Sequence, residues 1–357
     1  MRAADLPVLV CGYYGEHNLG DDALLQVLLS QLPEGVVALV TAWDGAQVGQ
    51  RFGVQTTDRR SLGGVLAALG HCRALVLGGG SLLQDATSFR SLLYYAALIS
   101  AARLRGLPVL LWGQGLGPLR RRRSRLLVRA LLPLVTAMSW RDPASAALAS
   151  GWGFQGLLGS DPVWALEPKR APEGPAEPQG WHGRGGPIVL CWRPVGQLAG
   201  QGWKPWLAAL SRLAAQADRE VIWLPFHQEQ DAGLLARLQA EGLINDGLAA
   251  RSRELRVSDP DEALALFRDA GLVLAMRLHG LILAALAGSP CAALSYDPKV
   301  SAAAAEIGCP CHELAAEPGP DLLQQWVACL DQPLAAATIE QSRQNARLHQ
   351  QLLARLA

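Results

Sequence analysis

No run in this 357-residue sequence reaches the ~18 consecutive apolar residues that a bilayer-spanning helix needs, although half of the residues are hydrophobic. The longest candidate, 126–138, is interrupted by Arg129 and Pro133. The apolar part of the amino terminus, Leu6-Pro-Val-Leu-Val10, is too short for the core of a secretory signal, so a cytoplasmic protein is expected. Paired cysteines are missing as well. The seven cysteines are scattered apart from Cys309-Pro-Cys311, with no CxxC, which points to reduced thiols rather than a disulfide framework. Cys309, Cys311 and His312 lack a fourth ligand at the usual spacing, so no metal is expected. Net charge is nearly absent, at +1, and no global field would draw a nucleic acid. There is no GxGxxG in the first strand-end loop, where two acidic residues would also repel a pyrophosphate, and this argues against a dinucleotide site.

What is present is alternation. The length suits two domains of ordinary size, and short apolar runs of strand length alternate with helical periodicity in both halves. In the first half the expected strands are Pro7–Cys11, Val36–Val40, Ala74–Leu77, Val109–Trp112, Val135–Trp140 and Leu157–Asp161. In the second they are Ile188–Trp192, Glu220–Leu224, Gly271–Ala275 and Cys291–Tyr296. Helices are expected at Ala23–Leu32, within Arg59–Leu69, and at Leu92–Arg105, Trp203–Gln216, Asp231–Ala240, Asp261–Arg268 and Leu281–Ala287. Residues 168–187 hold five prolines and five glycines, the composition of a linker. The expected organisation is an N-terminal domain over 1–167, the linker, a C-terminal domain over 188–333, and a polar helix over 334–357 packing back on the first domain. The expected fold class is α/β, two Rossmann-like domains facing each other across a cleft.

Chemistry-bearing residues gather where expected strands end. After the first strand comes Gly12-Tyr-Tyr-Gly-Glu-His-Asn-Leu-Gly-Asp-Asp22, in which Asp21 or Asp22 can cap the next helix. Asn18, Gly20 and Asp21 suit hydrogen bonding to a sugar; the plainer reading is a tight turn. Gly78-Gly-Gly-Ser-Leu-Leu-Gln-Asp85 follows another strand, and Gly79 and Gly80 would let backbone approach a ligand, with the Asp85 carboxylate facing the same cleft. Gly113-Gln-Gly-Leu-Gly-Pro118 is a third such loop. Arg141 ends a strand beside a helix capped by Asp142-Pro143. In the second half, Arg277 and His279 stand where strand becomes helix, and Lys299 follows the next strand. A helix N-terminus with Arg277 and Lys299 nearby would hold a phosphate or carboxylate. The run Arg120-Arg-Arg-Arg-Ser-Arg125 reads either as a solvated face or as attraction to an anionic membrane surface.

Taken together, these loops with Trp140-Arg-Asp142, Met276-Arg-Leu-His-Gly280 and Tyr296-Asp-Pro-Lys299 resemble the polysaccharide pyruvyl transferase family, and within it the bacterial CsaB type. The resemblance spans nearly the whole chain. It implies a GT-B-like fold and transfer of a pyruvyl group from phosphoenolpyruvate (PEP) to two hydroxyls of a sugar in a cell-surface glycan precursor. By motif position it implies that Arg141, Arg277 and Lys299 bind PEP and that His279 does acid–base work, with a less direct match for Asp85, as base on a sugar hydroxyl or as the group orienting His279. The PEP side would be the C-terminal domain and the acceptor side the N-terminal one. PEP is the donor substrate and no cofactor is implied. A lipid-linked saccharide at the inner membrane surface fits as acceptor. Two other readings stay open: a nucleotide-sugar glycosyltransferase of the same fold, and a non-catalytic glycan or anion binder.

Overall fold

Runs such as Val8-Leu-Val-Cys11 and Ala74-Leu-Val-Leu77 are apolar at every position. A strand built from them has no face to offer water and must be covered on both sides, as parallel strands are. The computed structural model, which describes residues 6–86, 88–167, 185–332 and 334–357, covers them in this way. The chain divides into two compact units, Met1–Leu166 with Gln341–Ala357, and Glu167–Glu340.

The first unit holds β1 (Val8–Tyr14), β2 (Ala38–Ala42), β3 (Gln55–Asp58), β4 (Ala74–Gly80), β5 (Val109–Gln114), β6 (Ala137–Trp140) and β7 (Leu157–Leu158). All pair in parallel, in the order β3-β2-β1-β4-β5-β6-β7. The second holds β8 (Ile188–Cys191), β9 (Val221–Trp223), β10 (Ser252–Glu254), β11 (Leu272–Ala275), β12 (Cys291–Ser295) and β13 (Cys311–Glu313). Its order, β10-β9-β8-β11-β12-β13, is again parallel throughout. Both sheets are thus doubly wound, and the order in which strands are laid down along the sheet reverses between β1 and β4 and between β8 and β11. In such sheets the crevice beyond the carboxyl ends at the reversal is where ligands bind.

Helices cover the sheets by burying one stripe. In Lys204–Ala217 the stripe is Trp206, Leu207, Leu210, Leu213 and Ala214, and each large apolar side chain contributes ~1.5–3 kcal/mol by leaving water. Tryptophans serve the same end: Trp112, Trp140, Trp164, Trp203, Trp206 and Trp326 are all fully buried, and Trp192 stacks on Trp203 at 5.8 Å. Among the described residues no helix is long and apolar enough to cross a membrane.

Several elements differ from the sequence reading. The first helix is Leu19–Ser30, four residues earlier than expected, and its cap is Asn18, whose side chain accepts the Gly20 N–H at 3.0 Å. Asp21 instead takes the Asn18 amide, and Asp22 pairs with Arg51 at 2.9 Å. The single helix expected over 231–240 is two, Gln228–Asp231 and Leu234–Ala240, separated by Gly233 in the left-handed region at φ 76°. Strands β3, β10 and β13, and the helices Gly45–Phe52, Pro298–Ile307 and Leu322–Cys329, were not anticipated. Most of the Pro/Gly-rich stretch 168–187 lies outside the described residues.

The segment Gln341–Ala357 belongs to the first unit although it follows the second in sequence. Its anchor is His349, fully buried, with Nε2 2.8 Å from the Ser160 carbonyl and its ring edge-on to Trp112. A carbonyl only accepts, so Nε2 carries the proton. Gly159 makes room: a Cβ there would lie 2.6 Å from the Asn345 carbonyl and 2.7 Å from His349 Nε2. Burial pushes the His349 pKa below its ordinary 6.5, outweighing the Ser160 carbonyl and the Asp161 charge. A depressed imidazole is neutral in the folded state while the unfolded chain protonates. Stability is therefore complete above about pH 6.5 and is lost as pH falls from there toward the folded-state pKa. The slope from this one group approaches 1.4 kcal/mol per pH unit. Tm measured from pH 8 down to pH 5 should fall more steeply in the wild-type protein than in His349→Gln; parallel curves would remove His349 as the source.

Candidate functional site

In the second unit the ends of three adjacent strands, β8, β11 and β12, carry the cations. Arg277 follows β11 in extended conformation and stands as N-cap of the helix Leu278–Leu286. No side chain caps that helix, so its first N–H groups and its partial positive charge are left to whatever lies beyond the strand ends. His279 is in its first turn. Gly280 brings that turn against the end of β8, since a Cβ would lie 3.0 Å from Cys191 Cβ. The Arg277 guanidinium is gripped by Asp231 through Nε (3.0 Å) and Nη2, and Nη2 also donates to Gln230 at 3.2 Å. Asp231 is itself buried and accepts the backbone N–H of His227 (2.8 Å) and Phe226 (3.2 Å). Such a carboxylate fixes the arginine's plane and leaves its far edge, Nη1, for a ligand.

Lys299 sits in the first turn of Pro298–Ile307, whose cap is Asp297; its Nζ is 3.6 Å from Asp297 Oδ2 and is exposed. It is one of only three lysines in a chain whose other cations are arginines, so a point charge at this place stands out. Arg193, two residues beyond β8, donates from Nη1 to the Tyr296 hydroxyl at 3.1 Å, and its guanidinium lies 5.2 Å from the Tyr296 ring centre. Neither Arg193 nor Asp231 was singled out from the sequence. The available signal for Arg193 was a cation directly after an apolar strand, the same signal that marked Arg277.

In the first unit, Asn18, Gly20 and Asp21 lie beyond β1, and Gly79 and Gly80 end β4, so the structure brings them to one reversal point. Gly79 and Gly80 have φ of 55° and 75°; a Cβ on Gly79 would meet Leu24 at 2.7 Å, so this glycine also lets the first helix close on the sheet. Tyr14 ties β1 to β4 through its hydroxyl, 3.0 Å from the Gly78 carbonyl. Glu16, buried in the same loop, is paired with Arg59 and Arg60, a pair of partners not foreseen. Arg141 follows β6 and is buried: Nη1 meets Asp161 at 2.9 Å, Nη2 the Ser81 hydroxyl at 3.0 Å.

Asp85 is placed differently from the base expected in a cleft. It is buried, and its two oxygens accept the backbone N–H groups of Arg120 (2.8 Å) and Arg121 (2.9 Å). Burial pushes its pKa up, but these two bonds outweigh it and the carboxyl sits below the usual range. A carboxylate so engaged fastens the loop after β4 to the loop after β5 and is a poor proton acceptor. Among the described residues no group of three or more His, Cys, Asp or Glu could hold a metal ion, Cys309, Cys311 and His312 included.

Residues 18–298 match the family model described as polysaccharide pyruvyl transferase, well over half of the chain. The chain belongs to that family. The match begins at the helix cap Asn18 and ends at Pro298, one residue before Lys299, so it takes in the strand-end loops of both units. No curated protein matches the sequence. Solved structures agree on the fold. A putative UDP-N-acetylglucosamine 2-epimerase from Listeria monocytogenes aligns with a TM-score of 0.64 at 13% identity, over 98% of this chain and 95% of the other. The UDP-GlcNAc 2-epimerase of Methanocaldococcus jannaschii gives 0.62 at 10% identity, over 97% and 99%, and MurG of Acinetobacter baumannii 0.50 at 13%, over 98% and 99%. Identity this low speaks for the fold alone, which is GT-B-like. This family member is therefore built on two doubly wound sheets.

Proposed function

We propose that this family member is a CsaB-type enzyme that moves a pyruvyl group from PEP to two hydroxyls of a sugar in a glycan precursor, as a cyclic ketal. The reading rests on one observation above all: Arg277 and His279 flank an uncapped helix start at the reversal point of the second sheet. PEP carries a phosphate and a carboxylate on a three-carbon enol. Arg277, held flat by Asp231, takes one anion through Nη1; the helix N–H groups, Lys299 and Arg193 hold the other. A proton delivered to the methylene carbon leaves C2 cationic. One sugar hydroxyl adds there and gives up its proton; the second then displaces inorganic phosphate and closes the ring. His279 is the group that passes protons in this scheme. Asp85 is left out of the chemistry, as the fastener of two loops. The acceptor is assigned to the loops of the first unit, where Asn18, Asp21, Arg141 and the glycine backbone offer sugar-binding groups. PEP is a substrate, and no step calls for a cofactor. A cytoplasmic enzyme acting on a lipid-linked saccharide is the setting that suits this donor.

The same fold serves enzymes whose names specify UDP-sugars, which keeps nucleotide-sugar transfer as the second reading. Thermal unfolding separates the two. PEP at ~100 times its Kd should add about 2.7 kcal/mol of stability, and the gain should vanish in Arg277→Ala. Stabilisation by a UDP-sugar alone, with none from PEP, would overturn the pyruvyl reading. Binding of PEP with no phosphate release in the presence of any glycan acceptor would instead favour an anion binder.

A further inference from the structure

Charge is unevenly spread along this nearly neutral chain. Between Asp85 and Asp142 there is no acidic residue, and there are ten arginines. The rest of the chain therefore carries more acids than bases, and the imbalance belongs to one part of the first unit. Much of that cationic stretch forms two helices, Phe89–Leu104 and Arg122–Leu131, which pack side by side. Arg123 lies over the Phe89 ring at 4.2 Å and pins their starts together. Helix Arg122–Leu131 buries Ser124, Val128 and Leu131. Its outward face shows Arg122, Arg125, Leu126 and Arg129, all exposed, at spacings of three and four. On the neighbouring helix Arg90, Leu93 and Leu104 share the outward face. The leucines are uncovered to an unusual degree: Leu126 is 67% exposed, Leu93 45% and Leu104 88%.

Arginines in the first turn of a helix oppose its dipole. Here Asp85 relieves the N–H groups of Arg120 and Arg121 from below, while Arg120, Arg121 and Arg122 are exposed. Solubility alone does not account for a patch of one sign. A polyanion such as RNA would be met by the cations but gains nothing from bare leucines, and no aromatic ring is exposed between them. Cations around exposed aliphatic side chains match an anionic bilayer, where headgroups meet the guanidinium groups and the leucines enter the acyl boundary.

We propose that the outward face of these two helices docks the protein on a membrane surface containing anionic lipid. This extends the reading of a lipid-linked acceptor and rests on it for its purpose, but the docking is measured without turnover. The test is flotation of the full chain with phosphatidylcholine vesicles, with and without phosphatidylglycerol, at low and high salt. Binding is expected only with phosphatidylglycerol and should weaken with salt. In Arg122→Ser/Arg125→Ser/Arg129→Ser each lost charge lowers partitioning about five-fold, roughly 100-fold together. Leu126→Ser should weaken vesicle binding several-fold yet leave retention on heparin unchanged. Leu126→Ser should keep the wild-type Tm, the triple variant, which loses the Arg125 Nε bond to the Leu119 carbonyl (2.8 Å), should stay folded, and PEP-dependent phosphate release with a soluble acceptor should be untouched in both, so loss of docking is distinguishable from loss of the proposed activity. A wild-type protein that ignores phosphatidylglycerol, or a triple variant that floats as well as wild type, would overturn the proposal. Equal loss on heparin and vesicles in Leu126→Ser would do the same.

Discussion

His279→Ala should lower kcat by about 100- to 10,000-fold, the usual worth of a positioned proton-transfer group. The KM for PEP should move little. On the proposed reading the donor's anions are held by Arg277, Lys299 and the uncapped start of Leu278–Leu286, with Arg277 oriented by Asp231. Arg277→Ala is the contrasting variant: it removes binding, so KM should rise as well. Steady-state phosphate release over a range of PEP separates the two patterns. A His279→Ala protein within ten-fold of wild-type kcat would take the imidazole out of the chemistry and leave proton transfer to another group.

Asp161→Ala should give the largest loss of stability. Its partner Arg141 is buried, and both side chains are 7% exposed. Removing one member of a buried pair strands the other charge, which typically costs about 3–5 kcal/mol. The cost here is compounded because the second Asp161 oxygen accepts the Val163 N–H at 3.0 Å and caps the turn Pro162–Ala165. In a unit of this size that is a fall in Tm of roughly 10 °C. Arg141→Met/Asp161→Ala should lose less than the sum of its parts, since no charge is then left unpaired. A single Asp161→Ala variant with unchanged Tm would show Arg141 to be held by Ser81 and solvent instead. The prediction matters for function too: Arg141 is already held by Asp161 and Ser81, so the acceptor role proposed for it must be weighed against its part in the fold.

The core strands were legible because a parallel strand covered on both faces is apolar at every residue, and Val8–Cys11, Ala74–Leu77 and Leu272–Ala275 are so. The strands that escaped, Gln55-Thr-Thr-Asp58, Ser252-Arg-Glu254 and Cys311-His-Glu313, are the edge or near-edge ones, half-exposed and polar. The pattern that reveals a buried strand is absent from them. Helix starts were displaced where two capping residues compete within a turn, as Asn18 and Asp21 do; only the backbone decides between them. At the site, Arg277 and His279 announced themselves as polar residues straight after an apolar run, and Lys299 as a cation just beyond another. Asp231 did not, because it sits 46 residues from the arginine it orients, and no local period joins them. Asp85 was legible as a carboxylate near a glycine loop, but its two backbone partners lie 35 and 36 residues on, which changes its meaning.

The return of Gln341–Ala357 to the first unit sets an order of assembly. A ribosome delivers residues 1–166 first and the second unit next. Only afterwards does it deliver the turn between Ala336–Arg347 and Gln350–Leu353 that seats His349 beside Trp112 and the Ser160 carbonyl. Until then the nascent first unit carries an open slot at Gly159. A chain that stops short of this segment leaves the place of His349 beside Trp112 and the Ser160 carbonyl unfilled, so the stability of the first unit depends on residues made after the whole of the second.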